Sequence, residues 1–406
     1  MTVDFETVAQ SPRFGFVGNV SVGRDISLDR LRAHYDAVIL AYGAASDRAM
    51  GVAGENLANV CSARSFVNWY NGHPDFRDFS PNLDAEDAVV VGQGNVAIDC
   101  ARILCKTKDE LKETDIASHA LEALSRSRVK RVHVVGRRSH VQAAMTMKEL
   151  REVTRLADCS FHVSSEELAR GRTAASLIEI EGARAKKRMD ALLAEQAAAT
   201  SNGTPRSRQL FLRFLLSPRE CIASSSNASA VGAFDFDVTA LEGPADAQRA
   251  VPTGRTERIS AGLVLKSIGY KSLPIAGAPF DDARAVLRND RGRVEGLPGL
   301  YCAGWVKRGP SGIIGTNIAD AKETVSSLLD DKAAGRLPLS ASAPGGAAAL
   351  RAELVASGAR KENELVSWAG WRVLDELELV KGKALGKSRE KFVSVPDMLR
   401  AVHASP

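Results

Sequence analysis

The run Val91-Gly92-Gln93-Gly94-Asn95-Val96-Ala97-Ile98-Asp99 constrains this chain more than any other part of it. It directly follows the apolar stretch Asp87-Ala-Val-Val-Val91 and opens a helical pattern that continues to Leu104. A Gly-x-Gly-x-x-Ala run in that setting predicts a strand, a tight turn and a helix. Gly92 permits the turn, and Gly94 lets a phosphate approach the backbone with no Cβ in the way. Ala97 lets the helix pack closely on its strand. The helix start offers free N–H groups and the positive end of its dipole to that phosphate. Gly92, Gln93, Gly94, Asn95, Val96 and Ala97 thus form a candidate dinucleotide cradle. A structural turn in an ordinary α/β sheet is the competing interpretation.

Other segments repeat the strand signal. Residues 35–42 form an apolar run that stops at Gly43, and Arg131-Val-His-Val-Val135 stops at Gly136. Helix-length segments between such runs predict parallel βαβ units. An NAD site normally carries Asp or Glu at the end of its second strand. Here that strand ends in Gly136-Arg137-Arg138, where two guanidinium groups can clamp a 2′-phosphate, which favours NADPH. A solvated basic turn is the alternative. Arg137 follows Gly92 by 45 residues, so an elaborated crossover over 105–128 is expected.

Further along, 176–196 reads as one helix with an apolar stripe (Leu177, Met189, Leu192, Leu193) and a basic cluster (Arg184, Lys186, Lys187, Arg188). Residues 197–208 read as an exposed loop. Antiparallel strands are expected over 211–214, 234–241 and 263–268. A loose connector spans 332–349, rich in Ala, Gly, Pro and Ser, before a charged, helix-compatible tail.

Composition narrows the function classes. A length of 406 residues suggests two or three domains, and 45% apolar with 25% charged residues is ordinary for a globular protein. A net charge of +5 and 5% aromatics give little support to nucleic-acid binding. Six scattered cysteines with no metal-ligand spacing argue against a disulfide framework or a metal site, and for a reducing or organellar compartment. No apolar run approaches the ~20 residues of a membrane span. The opening MTVDFETVAQSPRF, with Asp4 and Glu6, resembles neither a secretory signal nor an Arg-rich transit peptide.

With these residues in view, the chain resembles the adrenodoxin reductase family of flavoprotein NADPH:ferredoxin oxidoreductases. The blocks Phe14-Gly-Phe-Val-Gly-Asn-Val-Ser-Val-Gly-Arg-Asp25, Ala63-Arg-Ser-Phe-Val-Asn-Trp-Tyr-Asn-Gly72 and Ser127-Arg-Val-Lys130 carry the resemblance with the glycine run. Lys148-Glu-Leu-Arg-Glu152, Ser267-Ile-Gly-Tyr-Lys-Ser272 and Gly304-Trp-Val-Lys-Arg-Gly-Pro-Ser-Gly312 continue it, and the tail (Trp368; Lys387-Ser-Arg-Glu-Lys391) is similar too. The resemblance implies an α/β protein in which an NADP-binding Rossmann-like domain, 47–269, is inserted into a split FAD-binding Rossmann-like domain, 1–46 and 270–406. It implies FAD and NADP(H) as cofactors, with hydride passing from NADPH to flavin and single electrons to an acidic [2Fe–2S] ferredoxin. Gln93 to Val96, Arg137, Arg138 and Glu149 match the family's NADPH positions. Val20, Gly304, Trp305, Gly312, Ile313 and Ile314 match its flavin positions. Trp305 would lie along the isoalloxazine, and Gly312 where nicotinamide and flavin meet. On the residues alone, the turn 309–312 is equally compatible with a plain surface turn.

Asp99 resembles the family's acidic position near the reaction centre, where it could tune a flavin proton. It is as well explained as an acid favoured by a helix N-terminus. Arg151, Arg184 and Arg188 stand where the family docks its ferredoxin. A solvated basic helix face is the bland alternative. The resemblance implies a mitochondrial location, or a cytoplasmic one in a bacterium, and is compatible with peripheral attachment to an organelle membrane.

One family feature is not found. The flavin fingerprint Gly-x-Gly-x-x-Gly expected near the start has no counterpart here, so the flavin domain reads as N-terminally truncated. Either the sequence is incomplete or the protein is shortened. The second option leaves a non-catalytic NADPH-binding remnant as the runner-up function. A generic NADP-dependent dehydrogenase comes third, without a recognisable Tyr-Lys, His-Asp or Cys constellation.

Overall fold

The computed structural model describes residues 2–199, 206–312, 315–338 and 345–404. Contacts divide them into two compact units. One holds Ala49–Ile268 with Glu378–Ser394, and the other holds the remaining described residues. The sequence-based division kept all of 270–406 together. Instead Lys391 pairs with Asp115 at 2.9 Å, and the Lys387 ammonium donates to the carbonyl of Ile116, so this piece of the tail belongs with the first unit.

That unit is built on six parallel strands. In spatial order they are Val60–Ser62, Leu263–Lys266, Asp87–Val91, Arg131–Val135, Arg208–Arg213 and Cys159–Val163. Central strands of such a sheet are covered on both faces, which is why Ala88 to Val91 are all buried. Helices cover one face, burying Ala97, Ile98, Ala101 and Leu104 against Val90, Val132 and Leu212. Part of the other face lies under an antiparallel sheet of Leu216–Ala223, Val231–Glu242 and Arg249–Ser260, whose Phe234 and Phe236 pack on Val89, Val91 and Val264.

Two expectations about these strands need correction. Residues 211–214 and 263–268 were expected to be antiparallel, but Arg208–Arg213 and Leu263–Lys266 lie in the parallel sheet. Only the alternating stretches between them form the antiparallel layer. The expected single helix over 176–196 is two, Ala174–Gly182 and Arg184–Ala199, because Ala183 is extended (φ −133°, ψ 110°) after a helix-weakening Gly182. The break takes Leu177 off the apolar stripe. It is 48% exposed, whereas Met189 and Leu193 are buried. The crossover over 105–128 contains Lys108–Leu111, with Thr107 and Glu110 forming a capping box, and Ser118–Ser125.

The second unit carries a four-stranded sheet in the order Val38–Leu40, Leu300–Cys302, Arg293–Val294, Asn289–Asp290, with only the first pair parallel. Of the run 35–42 only three residues form the strand, and Ile39 and Tyr42 stay exposed. Helix Thr316–Ala333 enters the expected connector 332–349 and helix Gly346–Ala356 closes it; 339–344 lie outside the described residues. In the tail, helix Trp368–Ala384 opens with Trp368 stacked on Trp371 at 4.6 Å.

The glycine turn gives a direct test of local fit. Gly92 has φ +123°, and a Cβ there would lie 2.1 Å from the Ser267 carbonyl oxygen; at Gly94 nothing lies within 4 Å. Gly92→Ala should therefore lower stability by about 3 kcal/mol, from backbone strain plus overpacking. Gly94→Ala, which meets no atom but puts a poorer residue at the helix N-cap, should cost less, about 1 kcal/mol. Urea denaturation of both variants checks this, and equal midpoints would contradict it.

Candidate functional site

The turn joins strand Asp87–Val91 to helix Asn95–Cys105. Gly92 donates its N–H to the Val135 carbonyl at 2.8 Å, which fixes the direction in which the chain leaves the sheet. Gly94 is the helix N-cap, and no side chain caps the helix. The N–H groups of Asn95, Val96 and Ala97 have no acceptor among the described residues, so they stand ready for an anion. Gln93 and Asn95 brace the turn from both sides. The Gln93 amide donates to the Arg213 carbonyl at 2.6 Å, and the Asn95 side-chain oxygen accepts from Thr146 N–H at 2.9 Å. Gly136 lies close beside them: a Cβ there would meet Gln93 Oε1 at 2.1 Å and push the Gln93 amide off the Arg213 carbonyl.

Val91 and Val135 are register partners, so Arg137 and Arg138 leave their strand beside Gly92. Their backbone is pinned. Thr239 Oγ1 donates to the Arg137 carbonyl at 2.8 Å, and Leu215 N–H donates to the Arg138 carbonyl at 3.2 Å. Both side chains are exposed, and neither guanidinium has a partner among the described residues. Other arginines nearby are committed to the fold, such as Arg213, held by Glu167 and Glu257 at 2.7 Å each.

Glu149 sits in the first turn of Met147–Val153 and keeps one buried carboxylate oxygen without a partner. Asp99 lies within its electrostatic reach. Burial raises the Asp99 pKa, and Glu149 and Glu152 add to that. Arg102, 2.8 Å from Asp99, offsets only part of the effect. Arg102 also reaches Glu152 at 2.7 Å. Asp99 is therefore one member of a charge network rather than an isolated carboxylate.

The second unit gathers the flavin-side candidates around helix Trp305–Arg308. Gly304 has φ +75°, open space where a Cβ would stand, and an N–H given to the Asp320 carboxylate. Tyr270 lies 5.8 Å from Trp305 between ring centres. Gly312 has φ +82°, and a Cβ there would meet Thr316 Oγ1 at 2.5 Å. Val20 stands apart from these, packed with Ile26, Leu350 and Leu365. Ile313 and Ile314 lie outside the described residues. Asp320 and Tyr270 went unrecognised in the sequence. A carboxylate 16 residues beyond Gly304 on another helix leaves no local pattern to find.

Arg184 and Arg188 are exposed one turn apart at the start of Arg184–Ala199, and Arg151 is exposed on Met147–Val153. None of the three has an ion pair among the described residues. Asp190 anchors the same helix, accepting from Arg172 at 2.7 Å and bonding buried His140 at 2.8 Å. Lys186 differs from its neighbours, because Glu179 binds it at 2.6 Å. Burial pushes the Glu179 carboxyl up. Lys186, the Asp246 N–H, Gln248 and Gln142 outweigh that and hold it at about 2. A depressed carboxyl contributes stability that is present above its unfolded pKa, ~4.3, and is lost as pH falls through about 2. Glu179→Gln should therefore destabilise the protein at pH 7 and approach the parent as pH drops toward 2. Denaturation midpoints over that window test it, and a pH-independent difference would contradict it.

No family model matches the chain. The human mitochondrial NADPH:adrenodoxin oxidoreductase is 44% identical over 403 residues, spanning 98% of this chain and 80% of the relative. The Arabidopsis thaliana protein of the same name is 42% identical over 410 residues, spanning 98% and 83%. The NADPH-ferredoxin reductase FprA of Mycobacterium tuberculosis is 38% identical over 397 residues, spanning 98% and 85%. The structure of FprA in complex with NADPH superposes with a TM-score of 0.89 at 37% identity, covering 99% of this chain and 86% of that one. These matches do not bear out the expected loss of a flavin fingerprint; they concern the 406 residues alone. Identity of this order over nearly the whole chain puts it in the NADPH:adrenodoxin oxidoreductase family, together with the NADPH-ferredoxin reductases.

Proposed function

We infer that this chain takes reducing equivalents from NADPH and delivers them, through FAD, to a ferredoxin-type protein. One observation carries the reading: an uncapped helix start at Gly94, flanked by two arginines whose guanidinium groups have no partner among the described residues. The residues fit the nucleotide. A pyrophosphate meets free N–H groups at Asn95 to Ala97, and Arg137 with Arg138 supplies two guanidinium forks for a 2′-phosphate. The unpaired oxygen of Glu149 is available as an acceptor for the same ligand. On the flavin side, the open flank at Gly304 and the Trp305 ring fit close approach by a flat group, with Gly312 in the adjoining turn. FAD, when bound, accepts hydride and releases electrons one at a time. Asp99, its pKa raised by burial, holds a proton more readily than an ordinary aspartate.

A non-catalytic nucleotide-binding remnant is set aside, because the relatives carry oxidoreductase names along almost the whole of this sequence. The same alignments dispose of a generic dehydrogenase. For the partner we favour an acidic [2Fe–2S] ferredoxin, since free cations at Arg151, Arg184 and Arg188 would steer and orient carboxylates. The relatives come from mitochondria and from a bacterium, and the compartment of this chain follows its source. No described helix is long and apolar enough to cross a membrane.

Two measurements follow from this chemistry. Replacing Arg137 and Arg138 by Ala in the full chain should weaken NADPH by about tenfold or more, through loss of charge-assisted bonds, and NADH by less than about twofold. Calorimetric titration decides it, and equal losses would sink the assignment. Separately, Arg184→Glu/Arg188→Glu should slow association with ferredoxin while sparing NADPH-driven ferricyanide reduction, because charges at an interface rim act mainly on encounter. The parent rate should fall as salt shortens the screening length from ~10 Å at ~0.1 M to ~3 Å at ~1 M. A parallel fall in both activities would assign the arginines to folding or nucleotide binding.

A further inference from the structure

The unit that carries Gly304 also holds a concavity of about 510 Å³, lined by five cationic and three acidic side chains. Lys307 is neutralised within it, 8% exposed and paired with Asp320 at 3.2 Å and Glu323 at 2.7 Å. Arg308 is engaged by Thr316 at 3.1 Å and Asn317 at 2.6 Å. Arg284, Arg288 and Arg291 are different. None of their guanidinium groups has an ion pair or hydrogen bond among the described residues.

Their backbones are nevertheless fixed. Arg284 N–H donates to Asp281 at 3.0 Å, and Arg288 N–H to the Pro279 carbonyl at 3.0 Å. Ser327 Oγ donates to the Arg291 carbonyl at 2.8 Å. Arg291 is held at φ +48°, a left-handed conformation that arginine rarely adopts. Three like charges collected on a rigid wall repel one another unless an anion lies between them.

We propose that this basin is a binding site for a diphosphate-type anion, either a free polyphosphate or a phosphorylated lipid headgroup. Guanidinium forks match phosphate oxygens bidentately, and the charge of a diphosphate offsets three cations more fully than that of a single phosphate. The lining contains no aromatic ring, so a nucleobase would find nothing to stack on. The remaining carboxylates, Asp281 and Glu295, leave an excess positive charge. The basin belongs to a different unit from the Gly92 cradle and shares no residue with it.

The test uses the full chain with NADP⁺ at saturation, so that the dinucleotide cradle is occupied. Pyrophosphate is titrated by calorimetry into the parent and into Arg288→Gln/Arg291→Gly, a variant whose glycine suits the left-handed backbone. Co-sedimentation with vesicles of phosphatidylcholine, alone or mixed with phosphatidylinositol 4-phosphate, whose headgroup carries two phosphates, forms the second arm. The parent should bind one pyrophosphate saturably, and the variant about tenfold more weakly or not at all, with an unchanged melting temperature. Variant-sensitive binding to the acidic vesicles without pyrophosphate binding would assign the site to a lipid headgroup. No binding in either arm, or binding that the variant leaves unaltered, would overturn the proposal.

Discussion

The close approach of Gly92 to the Ser267 carbonyl governs the nucleotide-binding unit. Strands Asp87–Val91 and Leu263–Lys266 run side by side in parallel, and their ends converge so tightly that a Cβ on Gly92 would stand 2.1 Å from that oxygen. The only exit for the chain is a turn through positive φ, secured by the Gly92 N–H on Val135. That turn leads into helix Asn95–Cys105, whose first N–H groups have no acceptor among the described residues. Gly136 and Gln93 repeat the close packing on the neighbouring strand, which sets Arg137 and Arg138 beside the same opening. One steric constraint thus assembles both halves of the proposed anion site.

Electrostatics then separates structural charge from functional charge. A net charge of +5 spread over 406 residues says little by itself. Arg131, Arg213 and Arg293 are tied to carboxylates at 2.5 to 2.9 Å, and their positive charge is spent inside the fold. Arg137, Arg138, Arg184 and Arg188 are held at defined positions with no such partner among the described residues. Unpaired cations on fixed backbone are what a phosphate or an acidic protein surface requires, and the cradle, the basic helix and the arginine basin share that property.

Much of the local structure of the proposed nucleotide site was legible in the sequence. The apolar run to Val91, the glycines and the Arg137-Arg138 pair are local signals read within a few residues. The parallel placement of Arg208–Arg213 was not legible, because a short apolar run looks the same whether it pairs in parallel or antiparallel. The break at Ala183 escaped because a single Gly182 is tolerated inside many helices. Asp320 on the Gly304 N–H, and Lys387 on the Ile116 carbonyl, are contacts between distant parts of the chain. No local periodicity encodes such pairs, since they are set by packing.

Phosphorus NMR of bound NADP⁺ tests the central claim most directly. A phosphate monoester loses its second proton near pH ~6. Two guanidinium groups against the 2′-phosphate stabilise its dianion, so its resonance should titrate at clearly lower pH in the complex than in free NADP⁺. The pyrophosphate signals should shift as well, from contact with the N–H groups at Asn95 to Ala97. A 2′-phosphate that titrates as it does in free solution, whatever the pyrophosphate does, would contradict the account.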